Sequence, residues 1–332
     1  MSSLSIEIMN SYRLAERISA RENSNLYLAS QYLEDHSRYF MMISIYAILR
    51  LSDDVVDEKQ DYTGNITLKN ETTILAHLNR YQVQYLQAST QQANYLGLGP
   101  ALGHTCTLMP PLSVAWNDFF SAMKQDLTRD IFTTYDDFLT YAKGATGAPT
   151  SLMLQVYLSH HNFLNNQYVI DQQQCLRVGR MLGEWAYIVH FLRDFYKDLV
   201  HPHTIPLACL EDLHACDLSL EDLKHIKTGH KRHEYRHYAR MMLDRAQVVY
   251  HATQPELFNL LKPASQNQRF VVQLIIKIYA HLADKLYDAP DAVFDEEACH
   301  LSATEYQSII RTLARELSLS HLPEPIPFEH RH

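Results

Sequence analysis

Asp53, Asp54 and Asp57, followed by Glu58, close an apolar run that reads YFMMISIYAIL. On a helix Asp53 and Asp57 stand at i and i+4, so their carboxylates share one face, and Asp54 lies beside them at i+4 from Arg50. Acidic groups at the C-terminal end of a helix oppose its dipole, at a cost of a few tenths of a kcal/mol each. A hard divalent cation would offset that cost. Mg²⁺ takes oxygen ligands, keeps several waters, and is usually held by one or two carboxylates together with substrate phosphates; Mn²⁺ is the alternative. Taken alone, the same pattern also describes a solvated acidic helix end.

A second acidic pair changes the weighing. Asp194 and Asp198 are again i, i+4, on the apolar stretch MLGEWAYIVHFLRDFYKDL, with Arg193 and Lys197 adjacent, His190 one turn earlier and Tyr187 on the same face. A charged stripe on a greasy helix faces either a partner or a cavity, and an internal salt-bridge network with Arg193 and Lys197 is the plainer account. If the two acidic helices face each other across an apolar pocket, metal at one end could grip a diphosphate and neutralise the charge growing on it as it leaves. The apolar remainder would shield a carbocation from water, and the ring faces of Tyr46, Tyr141 and Tyr187 could stabilise cationic carbon. Plain core packing competes for each tyrosine, because the chain has 21 of them.

One further motif suggests different chemistry. His233-Glu234-Tyr-Arg-His237 is an HExxH, which on a helix could bind Zn²⁺ through two histidines with Glu234 as base. Its surroundings, GHKRHEYRHYAR, are so charged that a solvated helix face is expected instead. His201, His203, Cys209, His214 and Cys216 also cluster in sequence, at spacings that fit no standard zinc site.

The elements that must carry these groups read as helices. Gly is scarce at 9 of 332 residues, and long stretches keep helical periodicity with no strand alternation. Helices are expected over 11–36, 37–58, from 66 to about 93, and over 113–128, 135–161, 169–200, 233–253, 255–262, 266–287 and 303–318. DYTGN (61–65) reads as a turn, and 94–112, which holds Gly97, Gly99, Gly103, Pro100, Pro110 and Pro111, as a loop. Pro202 and Pro206 are expected to end the helix before them, 208–232 is a polar segment, and the tail LPEPIPFEHRH is extended.

The net charge of −9 gives no general field for nucleic acid. Five cysteines at irregular spacings, with no CxxC, suit a reduced cytoplasmic chain. No secretory leader is visible at the N-terminus. The greasiest stretches, 39–51 and 270–283, are too short to span a membrane and are interrupted by Arg50 and Lys277, although peripheral contact stays open.

With these residues in view, the chain resembles the squalene/phytoene synthase family across roughly 12–285. Ser24-Asn-Leu-Tyr27-Leu-Ala-Ser30, Arg38, and Ile45-Tyr46-Ala-Ile-Leu-Arg50-Leu-Ser-Asp53-Asp54-Val-Val-Asp57-Glu58 resemble the family's first block. Asp126-Leu127 and Tyr135-Asp-Asp-Phe-Leu-Thr-Tyr141-Ala-Lys-Gly-Ala-Thr-Gly147-Ala-Pro resemble its cavity-lining Tyr…Gly segment. Gly183 through Arg193-Asp194-Phe-Tyr-Lys-Asp198 resembles the second aspartate motif, and Arg269 and Tyr279 the final Arg…Tyr helix.

The resemblance implies a single all-α domain over 1–332, an isoprenoid-synthase helical bundle around a central cavity, with 286–332 as a C-terminal helix and tail. It implies that Asp53, Asp54, Asp57, Asp194 and Asp198 bind Mg²⁺. It further implies that Arg38, Arg50, Arg193, Arg269 and Tyr46 hold diphosphate oxygens, while Tyr141, Tyr187, His190, Tyr279 and Gly147 line the substrate. Two molecules of farnesyl or geranylgeranyl diphosphate would be joined head to head, with NADPH needed only if squalene is the product. The chain departs from the pattern at Leu26, Tyr187, His190 and Lys197, where the family has Phe, Gln, Asn and Glu, and at His201-Pro-His-Thr-Ile-Pro206 in place of Gly-Arg-x-Tyr-Leu-Pro. A terpene cyclase acting on one diphosphate, and a non-catalytic scaffold, are the alternatives.

Overall fold

The structure is a computed structural model that describes residues 4–21, 24–57, 71–88, 97–127, 131–200, 208–294 and 299–331. The expected turn at 61–65, Glu58, His201, Pro202, His203 and Pro206 lie outside the described residues, as does the side chain of Asp57.

The single helix expected over 11–36 is two helices, α1 (Ile6–Ser19) and α2 (Asn25–Ser30). Ser24 makes the break: its backbone is extended and its hydroxyl accepts the Tyr27 N–H at 3.3 Å, which starts a new helix. In α3 (His36–Asp57) the Asp35 carboxylate caps the first turn by accepting the N–H groups of Ser37 and Arg38 at 2.9 and 3.2 Å. Tyr39, Met41, Met42, Ile43, Ala47 and Ile48 are fully buried, so α3 is a central helix, as its all-round apolar middle requires.

After α4 (Glu71–Ala88) comes α5 (Gly99–Leu108), in place of the expected loop. Pro100 sits in its first turn, where no N–H partner is needed. Ser11 of α1 supplies the cap from outside, accepting the Ala101 N–H at 3.1 Å and donating to the Gly97 carbonyl at 2.6 Å. A cap delivered from 90 residues away leaves no local signal.

Next come α6 (Ser113–Gln125) and α7 (Tyr135–Ala142), the latter started by a Thr134–Asp137 capping box. A π-helical turn (Lys143–Gly147) leads into α8 (Ala148–Leu158). A hairpin that the sequence pattern did not suggest follows: β1 (His160–Asn162) pairs antiparallel with β2 (Gln167–Val169), His160 opposite Val169. Strands of three residues are too short to show an alternation.

α9 (Gln172–Val200) runs without a break. The polar stretch contains α10 (Leu210–Ala215) and α11 (Leu220–His225). α12 (Arg232–Leu261) continues through Pro255, fusing two expected helices, and α13 (Gln266–Asp288) and α14 (Ala303–Glu316) each begin with a capping box. α9 packs mainly on α8 and α12, and α3 on α1 and α5. α8 touches both α3 and α9, and α13 touches α8, α9 and α2, so α8 lies between the two acidic helices.

The segment after α14 docks back on the N-terminal helices. Arg331 is 1% exposed and donates to the carbonyls of Leu33, Gln31 and Ile326 at 2.6, 2.7 and 3.1 Å, with its guanidinium 3.8 Å above the Tyr39 ring. Tyr39 and Tyr27 in turn donate their hydroxyls to Glu16, both at 2.6 Å. Arg331→Ala leaves buried carbonyls without donors. It is expected to cost about 2 kcal/mol and to lower the thermal midpoint by about 3 °C, and a midpoint within 1 °C of the parent in a melt followed by circular dichroism would rule out this pin.

Candidate active site

The first acidic motif closes α3. Asp54 is 7% exposed, and its Oδ1 lies 2.6 Å from Arg50 Nη2. Arg21, delivered by the turn that follows α1, brings Nη1 to 3.6 Å from Asp54 Oδ2. Asp53 is more open, with 44% of its side chain exposed and Arg50 Nη1 at 3.4 Å. Arg50 thus serves both acids from the i+3 and i+4 positions, and two guanidinium groups offset carboxylates that stand at the negative end of a helix. Sequence reasoning did not single out Arg21, since nothing in its surroundings there marks it.

The second motif, near the end of α9, is knotted. Arg193 donates through Nε to Asp194 Oδ1 at 2.7 Å and through Nη2 to Oδ2 at 2.6 Å. His190 places Nε2 3.0 Å from Oδ2 and Nδ1 3.3 Å from Arg193 Nη2. Burial alone would raise the Asp194 pKa, but the hydrogen bonds from Arg193 and His190 hold it well below the usual carboxylate range. Asp198 makes no such bond among the described residues, and burial, with the charge of Asp194 adding to it, pushes its pKa up to about 6. Lys197 is exposed.

Two tyrosines connect the motifs. Tyr46, on α3 before Arg50, donates its hydroxyl to Ser24 Oγ at 2.7 Å and lies in the field of Arg50, Asp53 and Tyr279. Tyr279, on α13, lies in the field of Arg193 and Asp194. Burial raises the pKa of both hydroxyls, which stay neutral. Beneath them Trp185 stands 6.1 Å from the Tyr279 ring. Tyr157 of α8, in the field of Tyr46, has a buried hydroxyl with no hydrogen-bond partner among the described residues. It too escaped the sequence reading, because it sits inside the plain apolar run LMLQVYL.

Tyr141 and Tyr187 belong to one aromatic cluster, their rings 5.6 Å apart and packed on Phe132 and Phe138. Tyr187 lies two turns before Asp194 on α9.

Three expected substrate contacts have other work. Arg38 stands about 18 Å along α3 from Arg50; it is 9% exposed, bonds Asp35 and the Ser159 carbonyl, and lies 4.8 Å over the Tyr168 ring, tying the hairpin to α3. Arg269 donates to the carbonyls of Leu261 and Lys262 at 3.1 and 2.7 Å, satisfying the end of α12 about 15 Å along α13 from Tyr279. Gly147 is a packing position: a Cβ on Gly183 would fall 2.3 Å from its Cα.

The HExxH lies on the outer face of α12. His233 and His237 are exposed and line a groove of about 510 Å³ with Arg236, Arg240, Asp288 and Asp291. The two histidines thus stand on a solvated face among arginines, as the charged surroundings of the motif suggest. Cys209 and Cys216 are buried free thiols, and Cys209 Sγ contacts the Thr133 carbonyl at 3.7 Å.

The donors of the first motif are hard carboxylate oxygens at one helix end, partly open to solvent, and they suit Mg²⁺ or Mn²⁺. Among the described residues no helix is long and apolar enough to cross a membrane.

An all-α bundle with two acidic helix ends gathered around buried tyrosines defines an isoprenoid-synthase type of protein. The squalene/phytoene synthase profile matches residues 19–305, and the chain belongs to that family, which is of prenyltransferase type. Its fold is similar to that of a dehydrosqualene synthase solved with a ligand, at 17% identity, covering 94% of this chain and 98% of that one, with a TM-score of 0.73. It is also similar to the squalene synthase HpnC from Alicyclobacillus acidocaldarius, at 18% identity over 88% and 97% of the two chains, with a TM-score of 0.64. No curated sequence matches the chain.

Proposed function

We propose that the chain is a Mg²⁺-dependent prenyltransferase that joins two prenyl diphosphates head to head and releases diphosphate. The observation that carries this reading is that Tyr46 lies in the field of Arg50, Asp53 and Tyr279, while Tyr279, with Trp185 beside it, lies in the field of Arg193 and Asp194.

Asp53 and Asp54, with Asp57, would hold Mg²⁺, which when bound neutralises the diphosphate that departs. Arg50 and Arg21 add positive charge at the same end. As the C–O bond of the first substrate breaks, its electron pair leaves with the diphosphate and an allylic cation remains. The double bond of the second substrate supplies the electrons for the new C–C bond, and a proton is lost to close a cyclopropyl diphosphate, the intermediate that the family implies. Tyr46, Tyr279 and Trp185 present ring faces to cationic carbon and exclude water. The second C–O bond then breaks, the second diphosphate leaves with its electron pair, and the rearranged cation either loses a proton to give a phytoene-type hydrocarbon or accepts a hydride from NADPH to give a squalene-type one.

Incubation of the purified chain with farnesyl and with geranylgeranyl diphosphate, with Mg²⁺ and with or without NADPH, tests this by product mass. A hydrocarbon carrying two prenyl units is expected. A cyclised product from one prenyl unit would replace the reading with a cyclase, and no turnover of either substrate would remove it.

A further inference from the structure

We propose that the β1–β2 hairpin is a membrane contact: the side chains of Phe163 and Leu164 at its tip insert into a lipid bilayer, so that the end of the bundle away from the acidic motifs faces lipid. This goes beyond the head-to-head reading, and only the choice of lipid as the occupant draws on it.

Among the described residues these are the two most exposed large apolar side chains, at 88% and 98%. They open the turn between β1 and β2, which is closed from within. Asn162 Oδ1 accepts the Leu164 N–H at 3.0 Å, Asn165 Oδ1 accepts the Gln167 N–H at 3.3 Å, and Asn165 Nδ2 donates to Gln167 Oε1 at 3.1 Å. Asn166 takes the left-handed conformation that the turn needs, with φ 54°, and its Oδ1 lies 3.0 Å from His161 Nε2. These polar groups find partners inside the hairpin, which lowers the cost of taking the tip out of water. The His161 ring stands edge-on to Phe163 at 4.6 Å and to Tyr168 at 5.0 Å. Tyr168 ties the hairpin to α3: its hydroxyl donates to Asp35 Oδ2 at 2.8 Å, and Arg38 lies over its ring. The tip is therefore a braced projection.

Charge and area choose the occupant. Residues 160–170 hold no Asp, Glu, Lys or Arg, so the tip gives a charged partner nothing to pair with. Its two side chains present roughly 300–350 Å², well short of the about 800 Å² that each side of a stable protein interface contributes. A small, convex, apolar projection suits the headgroup–acyl boundary of a bilayer, which apolar side chains enter to a depth of roughly 5–10 Å. The position agrees. β2 leads into α9, and Asp194 lies about 33 Å further along that helix; on α3, Asp53 lies about 22 Å beyond Arg38. Both acidic motifs thus stand at the far ends of helices that begin beside the hairpin. Phe258, 68% exposed, adds an apolar point at the hairpin end, two residues beyond Glu256, which pairs at 2.8 Å with Arg177 in the second turn of α9. On the proposed reading the charged diphosphates belong to the acidic end and the hydrocarbon product is insoluble in water, so a bilayer at the opposite end is the phase that takes it up.

Flotation of the full chain with vesicles of phosphatidylcholine tests this without any turnover. The parent is expected to float with the vesicles, and to do so equally at about 0.5 M salt, since the insertion of apolar side chains is not screened. Phe163→Ser combined with Leu164→Ser is expected to lower the partition tenfold or more while leaving turnover of prenyl diphosphates within twofold of the parent. Leu164→Trp guards against a variant that fails to fold: the new indole is expected to be quenched by brominated phosphatidylcholine, whereas Trp116 and Trp185, both buried, are not. A parent that stays in the buffer, a double variant that floats as well as the parent, or an unquenched indole at 164 would overturn the proposal. So would binding lost in salt, which assigns the contact to charge, or a self-association that the serines abolish, which gives the tip to a second copy. A chain that floats by its tip but makes no hydrocarbon loses the prenyltransferase reading alone, and one that makes hydrocarbon but ignores vesicles loses only the membrane contact.

Discussion

Asp54→Asn is expected to lower the turnover of prenyl diphosphates about a thousandfold, equivalent to about 4 kcal/mol in the barrier, while the chain stays folded. Asp54 is better buried than Asp53 and is the one on which both Arg50 and Arg21 converge. The amide keeps the volume and can still accept a hydrogen bond, so packing barely changes. What disappears is the negative charge. Without it, on the proposed reading, the helix end loses a metal ligand, and Arg50 and Arg21 lose the charge they converge on. The stability cost is small by comparison, since 21% of the Arg50 side chain is exposed and Asp53 lies within its reach. The measurement is kcat on farnesyl diphosphate with circular dichroism alongside. Activity within threefold of the parent would take Asp54 out of the mechanism.

Gly183→Ala is expected to destabilise the fold by about 4 kcal/mol, a fall of about 6 °C in thermal midpoint. The sign is informative, because within a helix Ala is intrinsically better than Gly by about 1 kcal/mol. Here the added Cβ would come 2.3 Å from the Gly147 Cα and 2.5 Å from its nitrogen. Both obstacles are backbone, so no rotamer change relieves them, and α9 would have to move away from the π-helical turn. That movement would also carry the Arg193–Asp194 end of α9. A variant as stable as the parent would mean that the two helices do not meet this closely.

The parts of the protein that could be read from its sequence are those where one helix holds both the pattern and the chemistry. α3 and α9 carry long apolar runs that end in acids at i, i+4, and the burial of α3 and the inward placing of Asp54 and Asp194 follow from that pattern. The losses came where the partner is distant. α5 takes its cap from Ser11, so its glycines and proline look like a loop. Arg38 and Arg269 stand at motif positions, yet a motif does not say which carbonyls lie within reach of a guanidinium; Ser159, Leu261 and Lys262 claim these two. Arg21 and Tyr157 reach the site through the path of the chain, which spacing does not encode. The break expected between 253 and 255 is absent, because α12 runs through Pro255 and tolerates the gap that the proline leaves in the hydrogen-bond ladder.

The Arg331 contact sets the order in which this protein can mature. It joins residues 298 positions apart, and Glu16, Tyr27 and Tyr39 wait beneath it for their cation. A ribosome delivers residue 33 many seconds before residue 331. During that interval the carbonyls of Gln31 and Leu33 lack the donor that Arg331 brings, and this corner of the first three helices is completed only after residue 331 has been made.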